Sequence, residues 1–492
     1  MAVEVVVVAV VTLLLLLMSF LKKPAGLPPG RWGLPGIGYP PINRRPLDDQ
    51  LAELHRQHGD IYLWRIGTQV MVFLHNYKLT REAFSRPEFI NRPDWRIFKR
   101  LVYECNAGVV GSEGQVWQNN RRFTIRQLRD LGMGKSRMVS VVQQEARFLV
   151  EALQKQTGRP APVPHALTVS TVNVLWQMVA SKRFHVDDPV VFELEKLIDD
   201  TLANMTLISL PDFLPWLSML LPWALQKRLF NLDIVDAMRE RFSKFCVKLI
   251  EDHLATLDRE RPRDLIDAYL LNMNENDCNS SASMTDLSKM IFDMFTAGSE
   301  TTTNTLTWLF YFLATYPEVQ RKLQAEVDRV LPRGTLATLE DRPRLPYTEA
   351  VIHEVHRKAS VTSMGVQHAA VQETLLGDYL IPKGAVIISA VASMHHDPRY
   401  WDHPDQFLPD RWLDHNGNFN TQKEGFLPFG VGKRRCVAEA LVRMELLIFT
   451  SALVQTLHFS PPPGRKLDMR HDSRNPFSHL ALQQDLLITV RD

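Results

Sequence analysis

Cysteine is scarce in this chain: Cys105, Cys246, Cys278 and Cys436 are the only four in 492 residues. Thiols so few and so widely spaced form no disulfide framework, which suits a reducing compartment. No C-x-x-C pair occurs, so zinc sites built on cysteine pairs are excluded. An excess of either charge is lacking as well. The 57 Lys and Arg residues are matched by 55 Asp and Glu, for a net charge of +2, and no basic footprint points to nucleic acid as a partner. With 45% hydrophobic and 23% charged residues the chain is a folded globular protein. Its length allows about three average domains or one large α-rich enzyme domain.

Long apolar runs are absent except at the start. Val5 to Leu21 is broken only by Thr12 and Ser19, a little short of the roughly 20 residues that span a bilayer, and crosses with modest thinning. Lys22 and Lys23 close the run while the other end carries Glu4, so positive-inside bias keeps the bulk of the chain cytoplasmic. A cleaved signal peptide needs a basic n-region and a small-residue cleavage site, and neither is present. Residues 1–23 are therefore read as a single membrane anchor. Residues 24–41 carry Pro24, Pro28, Pro29, Pro35, Pro40 and Pro41 among five glycines, the composition of a semi-rigid hinge. Residues 42–492 are read as one catalytic domain. The sequons at Asn204 and Asn279 would be unused in this topology.

The stretch Phe429-Gly-Val-Gly-Lys-Arg-Arg-Cys-Val-Ala-Glu439 concentrates the chemistry. Gly430 and Gly432 permit a tight turn, and Val437 to Leu457 is apolar on nearly every face, as a buried helix is. Cys436 at that helix's N-terminus, beside Lys433, Arg434 and Arg435, is expected to favour the thiolate. Three chemistries compete for it. A nucleophile needs a histidine base, which nothing assigns; zinc needs partners; one axial thiolate on a haem iron needs a single cysteine and cations for the propionates. The glycine pair is not a dinucleotide or phosphate loop, since Arg435 and Arg434 occupy positions those motifs reserve for glycine and Ser/Thr.

Thr285 to Tyr316, ended by Pro317, predicts a helix on the order of 45 Å long. Its halves are strongly apolar, yet its centre is Ala297-Gly-Ser-Glu-Thr-Thr-Thr, a poor choice for helix stability. Local rules broken in mid-core usually mark a site. Ile61 to Ile66 and Val70 to Leu74 predict a hairpin, and Ala385 to Val391 a strand. Asp94 to Gly114 reads as a loop, and Asn272 to Ser283 as an exposed linker. Trp117 and Arg121 share a helix face by their i, i+4 spacing, and Arg122, Arg126 and Arg129 continue a basic helix. The proline-broken apolar stretch Pro211 to Leu225 reads as loops or short helices facing a membrane, a substrate entrance or the core.

Together these elements resemble the cytochrome P-450 family. Phe429, Gly432, Arg434 and Cys436 match its haem-binding signature, with Ala438 where glycine is usual. The resemblance implies a mainly α fold with a minor β-sheet and Cys436 as axial ligand of the haem b iron. It implies that Thr301 and Glu300 hold dioxygen and relay protons, and that Ala297 and Gly298 leave room for substrate. Trp117, Arg121 and His368 become propionate contacts, while Glu354, Arg357 and Arg411 become core architecture, the last from a segment with Pro404, Phe407 and Pro409. The substrate pocket is expected from Asp94–Gly114, the Pro211 region, the long helix and Val361–Gln367, with Ser363 and Gln367 where prolines are common. Leu345-Pro-Tyr-Thr-Glu-Ala-Val-Ile-His-Glu is closest to the microsomal drug- and steroid-oxidising branch, including invertebrate members. The implied reaction inserts one oxygen atom from dioxygen into a lipophilic substrate, with electrons from NADPH through a diflavin (FAD/FMN) reductase and cytochrome b5 as a further donor. It would take place at the endoplasmic reticulum membrane, with the basic helix docking an acidic donor. An isomerase or dehydratase of the same fold, and a non-enzymatic haem sensor or carrier, are the rival readings.

Overall fold

Helical periodicity dominates the chain, and one helix sets the arrangement of the rest. In the computed structural model, which describes residues 22–41, 46–101, 106–273, 283–421, 423–475 and 477–491, the long helix runs from Met284–Thr315. The Ser283 side chain caps it by accepting from Asp286 N, satisfying one of the amides that a helix start leaves unpaired. Pro317 starts the next helix, Pro317–Val330, so the chain turns at Tyr316. Ala166–Ala180, Leu232–Ala255 and Pro346–Ala359 pack against the long helix. Nearly all of Ala166–Ala180 is buried, as expected of a helix with little polar face. The apolar run after Cys436 forms the helix Glu439–Thr456, two residues later than the sequence suggests.

The minor sheet has five strands in the order Gly30–Arg31, Ile61–Ile66, Gln69–Leu74, Val386–Ser389, His368–Ala369. The predicted hairpin pairs Ile61 with Leu74 through Ile66 with Gln69. Met71 then pairs in parallel with Val386, and His368 pairs antiparallel with Ile387. This sheet joins the proline-rich hinge at one edge to His368 at the other. The strand expected over Ala385–Val391 is confined to Val386–Ser389, because Val391 already opens a short helix, Val391–His395.

One expectation is corrected and one is borne out. The Asp94–Gly114 segment is not all loop: Arg96–Leu101 is a helix, held by Arg96 N donating to Asp212 Oδ1 at 2.5 Å and by the Arg100 guanidinium on Asp236. Pro211 to Leu225 becomes the short helices Leu210–Phe213, Pro215–Leu220 and Trp223–Leu229. Pro211 and Pro215 occupy first turns, where a missing amide hydrogen costs nothing. The expected anchor run, Cys105, Cys278, Asn279 and most of the 272–283 linker lie outside the described residues. Among the described residues no helix is long and apolar enough to cross a membrane, and Cys246 and Cys436 are free thiols.

Candidate active site

The cysteine loop depends on its glycines. Gly432 has φ +78, and a Cβ there would lie 2.0 Å from the Phe84 carbonyl oxygen, so only glycine lets the loop pass this backbone. Cys436 N donates to Phe429 O at 3.0 Å, and the Phe429 ring lies edge-on to His356 at 5.1 Å with the Arg443 guanidinium 5.2 Å from it. Cys436 is accessible although it lies deep in the protein. The expectation that helix and cations would favour the thiolate is corrected. Burial pushes the Cys436 thiol up, outweighing the Ala438 amide, Arg121 and Arg435. The three cations do not act together on it: Arg435 pairs with Glu439 at 2.5 Å, Lys433 is exposed, and Arg434 turns toward Trp117. A metal bound to the sulfur would supply the missing charge.

Beside this loop the cations crowd together. The Arg434 guanidinium lies 4.3 Å from the Trp117 ring centre and that of Arg121 5.9 Å. Arg92 belongs to the same group, donating to Val110 O, Val366 O and Gln367 O. Burial, then Arg434 and Arg121, hold Arg92 well below the usual arginine range, and burial brings Arg434 down to about 10. Glu113 and Asp293 are the carboxylates that offset this group. Trp117 Nε1 is buried with no hydrogen-bond partner, which costs free energy unless something accepts from it. A dianionic group with carboxylate arms fits this set, and haem, with its two propionates, is such a group. His368 stands at the edge of the cluster. Its Nδ1 donates to Phe89 O at 2.7 Å and its ring stacks on Phe84 at 3.8 Å. Burial and the arginine charges keep it neutral, so it meets a propionate only by taking a second proton at Nε2.

A cavity of about 970 Å3 is walled in part by Ala297, Glu300 and Thr301 from the long helix and by Arg92 and Glu113 of the cation cluster. Thr301 Oγ1 donates to Ala297 O at 2.9 Å, which leaves its lone pairs free toward the cavity. Glu300 is pushed up to about 8, by burial first and then by Asp199 and Glu195. It hydrogen-bonds to Asp199, the partner that keeps the charge, and Asn304 Nδ2 donates to its Oε2 at 3.1 Å. At rest its proton therefore points toward Asp199 on Pro189–Ala203. Gly298 does not leave room for substrate. A Cβ there would come within 2.3 Å of Leu175 Cδ2, so this glycine lets Ala166–Ala180 approach the long helix.

A model of the cytochrome P450 family matches residues 28–486. The chain belongs to the cytochrome P450 family. It is 41% identical over 475 residues to cytochrome P450 2L1 of Panulirus argus, covering 96% of each chain. Cytochrome P450 2J2 of Homo sapiens is 33% identical over 463 residues, 92% of this chain and 90% of the relative. Cytochrome P450 18a1 of Drosophila melanogaster is 32% identical over 454 residues, 90% and 83% of the two chains. The chain is thus a family-2-type P450 with an invertebrate relative, and its class is that of the haem-thiolate monooxygenases.

In this P450 Glu354, Arg357 and Arg411 meet in one buried network. Arg357 Nε and Nη2 donate to the two Glu354 oxygens at 2.9 and 2.8 Å. Arg411 Nε and Trp412 Nε1 add bonds at 3.2 and 3.0 Å, and Arg357 also donates to the carbonyls of His395, Pro404 and Gln406. The cavity walls differ in part from expectation. Val361, Val366 and Gln367 contribute, but the Pro211 helices do not; Ile198, Thr201, Leu202 and Met205 stand in that place. Ser478 and Leu480 also line it, held by Ser363 Oγ donating to Phe477 O at 3.0 Å, a bond no proline could make. Neither Arg92 nor this C-terminal loop carries a local sequence signal, because each reaches the site through contacts distant along the chain.

Proposed function

We propose that this P450 is a monooxygenase of lipophilic small molecules, with Cys436 as the axial ligand of haem iron. The observation that carries the reading is the partnerless Trp117 Nε1 among Arg92, Arg121 and Arg434, beside the Cys436 loop. Those residues would hold the propionates, and Cys436, on the loop that Gly432 allows, would hold the iron. Bound there, haem supplies dioxygen activation and one-electron chemistry. The chain's own residues do the rest. Ile198, Leu202, Phe292, Val361, Val366 and Leu480 give the cavity apolar walls, which bind a lipophilic substrate and exclude water. Thr301 presents a hydroxyl to that space, and Glu300, an acid that still holds its proton near neutral pH, is one residue away to resupply it.

Electrons come from NADPH through an FAD/FMN reductase, with cytochrome b5 as a further donor. Arg122, Arg126 and Arg129 form an exposed basic face on the helix Gly114–Asp130, suited to steering an acidic donor. Its opposite face carries buried Trp117, so a docked donor would sit close to the haem edge. Residues 1–23 anchor this P450 to the endoplasmic reticulum membrane and residues 24–41 act as the hinge. The catalytic body lies on the cytoplasmic side.

The test is the absorption spectrum of the reduced, carbon monoxide-treated protein beside that of Cys436→His. A strongly red-shifted Soret band, lost in the variant, is the expected result, followed by NADPH- and reductase-dependent product formation. An identical band in the variant removes the thiolate assignment. Turnover without NADPH would place the protein with isomerases or dehydratases of the same fold.

A further inference from the structure

We propose that Asp48, His471 and His479 bind a zinc-class divalent cation that clamps the C-terminal wall of the cavity to the N-terminal helix. Asp48 stands in the first turn of Leu47–His58. His471 and His479 belong to the C-terminal loop, where His471 bridges to Ala481. Both imidazoles converge on one carboxylate oxygen: His471 Nε2 lies 2.9 Å and His479 Nε2 3.0 Å from Asp48 Oδ2. The rings are stacked 3.9 Å apart and inclined by 13°.

A hydrogen-bonding account of this cluster is incomplete. His479 Nε2, although 3.0 Å from Oδ2, is off the hydrogen-bonding direction and is buried without a partner. His471 Nδ1 faces the Asp472 carbonyl at 3.4 Å. His471 Nε2 hydrogen-bonds Asp48 Oδ2 at 2.9 Å when it carries a proton, so the nitrogen left unsatisfied in the cluster is His479 Nε2. The same arrangement is favourable around a cation, because a backbone carbonyl on the far nitrogen fixes the ligating tautomer. Zinc takes two imidazoles and a carboxylate at about 2.0–2.2 Å, which in a tetrahedron sets the ligand atoms about 3.3 Å apart. The two nitrogen-to-oxygen separations need to open by only a few tenths of an ångström, and the stacked rings must turn so that both in-plane lone pairs meet at the ion. Harder cations prefer all-oxygen sets. All three residues are partly exposed, Asp48 most and His479 least, so an ion can reach the cluster from the Asp48 side.

The position gives the site a consequence. His479 lies between Ser478 and Leu480, which line the cavity. Its backbone is fixed on both sides, its amide donating to Val361 O and its carbonyl accepting from Trp308 Nε1, each at 2.9 Å. Drawing His471 and His479 onto a cation held by Asp48 would fix this wall against a helix from the other end of the chain.

The experiment uses untagged, haem-loaded full-length protein, stripped with chelator and titrated with zinc alone by calorimetry, with X-ray absorption at the zinc edge. The expected result is one zinc per chain with scattering from two imidazoles, weakened at least about tenfold by Asp48→Asn and by His471→Ala separately. Both variants keep the His479 side chain under the cavity wall, and an unchanged haem spectrum checks their fold. Zinc is also expected to shift, at least about twofold, the dissociation constant of a cavity ligand read from the haem spectrum, in wild type and not in His471→Ala. Absence of saturable binding, or binding that neither variant weakens, overturns the site. Binding with no shift in the cavity ligand overturns the clamp.

Discussion

Glu300 and Asp199 are two carboxyl groups sharing a place where one charge is affordable. Burial raises both, and the hydrogen bond between them gives the proton to Glu300 and the charge to Asp199. The folded protein therefore binds more protons at this pair than the unfolded chain does, from the ordinary glutamate range near 4.5 up to about 8. Stability from this source is fully present below that window and is lost as the pH rises through it. Glu300→Gln cannot ionise, so its unfolding temperature should vary less with pH between 5 and 8. Above pH 8 it should be more stable than wild type by on the order of 1–3 kcal/mol. Product formation should fall at every pH, because the amide carries no transferable proton beside Thr301. Thermal unfolding across pH checks the first claim, and product formed per NADPH consumed checks the second. The acid-and-alcohol pair was legible in the sequence, since Gly298 and the Thr301–Thr303 run are poor helix choices in mid-core and the stretch matches a family motif. Asp199 was not, because it meets Glu300 from another helix. The raised thiol of Cys436 escaped for a related reason: neighbouring cations are visible in a sequence, but burial and the turning away of Arg434 are not.

Among the elements, those with strong local punctuation were read well. Ser283 and Pro317 bound the long helix, and Gly67 marks the hairpin, so both fall within a residue or two of expectation. Elements defined by distant partners were read poorly. Arg96–Leu101 holds its shape through Asp212 and Asp236, which no local pattern announces. Glu354 and Arg357 show the difference within one helix. Their i, i+3 spacing is common and on a surface contributes little, but Trp412, Arg411 and the Leu408 amide close over it and remove it from water. Breaking a buried pair leaves an uncompensated charge. Glu354→Ala should therefore destabilise the haem-loaded protein by roughly 3–5 kcal/mol, seen as a lower denaturant midpoint. Glu354→Gln, which keeps the shape and part of the hydrogen bonding, should cost less. An alanine variant within 1 kcal/mol of wild type, on the scale of an exposed pair, would show that the network is not a structural lock.

At the scale of the whole molecule the hinge and the Pro211 helices make one surface. Trp216 Nε1 donates to Gly36 O at 2.9 Å, joining the two chain segments. Around that contact Leu34 is 53% exposed, Tyr39 46%, Met219 81%, Leu220 73% and Trp223 48%. Apolar side chains so open mark a surface that meets an apolar partner, and on the proposed anchor-and-hinge reading that partner is the membrane. Binding of such a surface grows with the apolar area buried. Met219→Glu with Leu220→Glu should therefore weaken association with lipid vesicles by on the order of tenfold or more. The effect should be clearest after removal of residues 1–21, when wild type still floats with vesicles and the double variant does not. Haem content should be equal in both, since neither side chain lines the cavity. Equal vesicle binding by the two proteins would mean that this apolar surface is covered by something other than lipid.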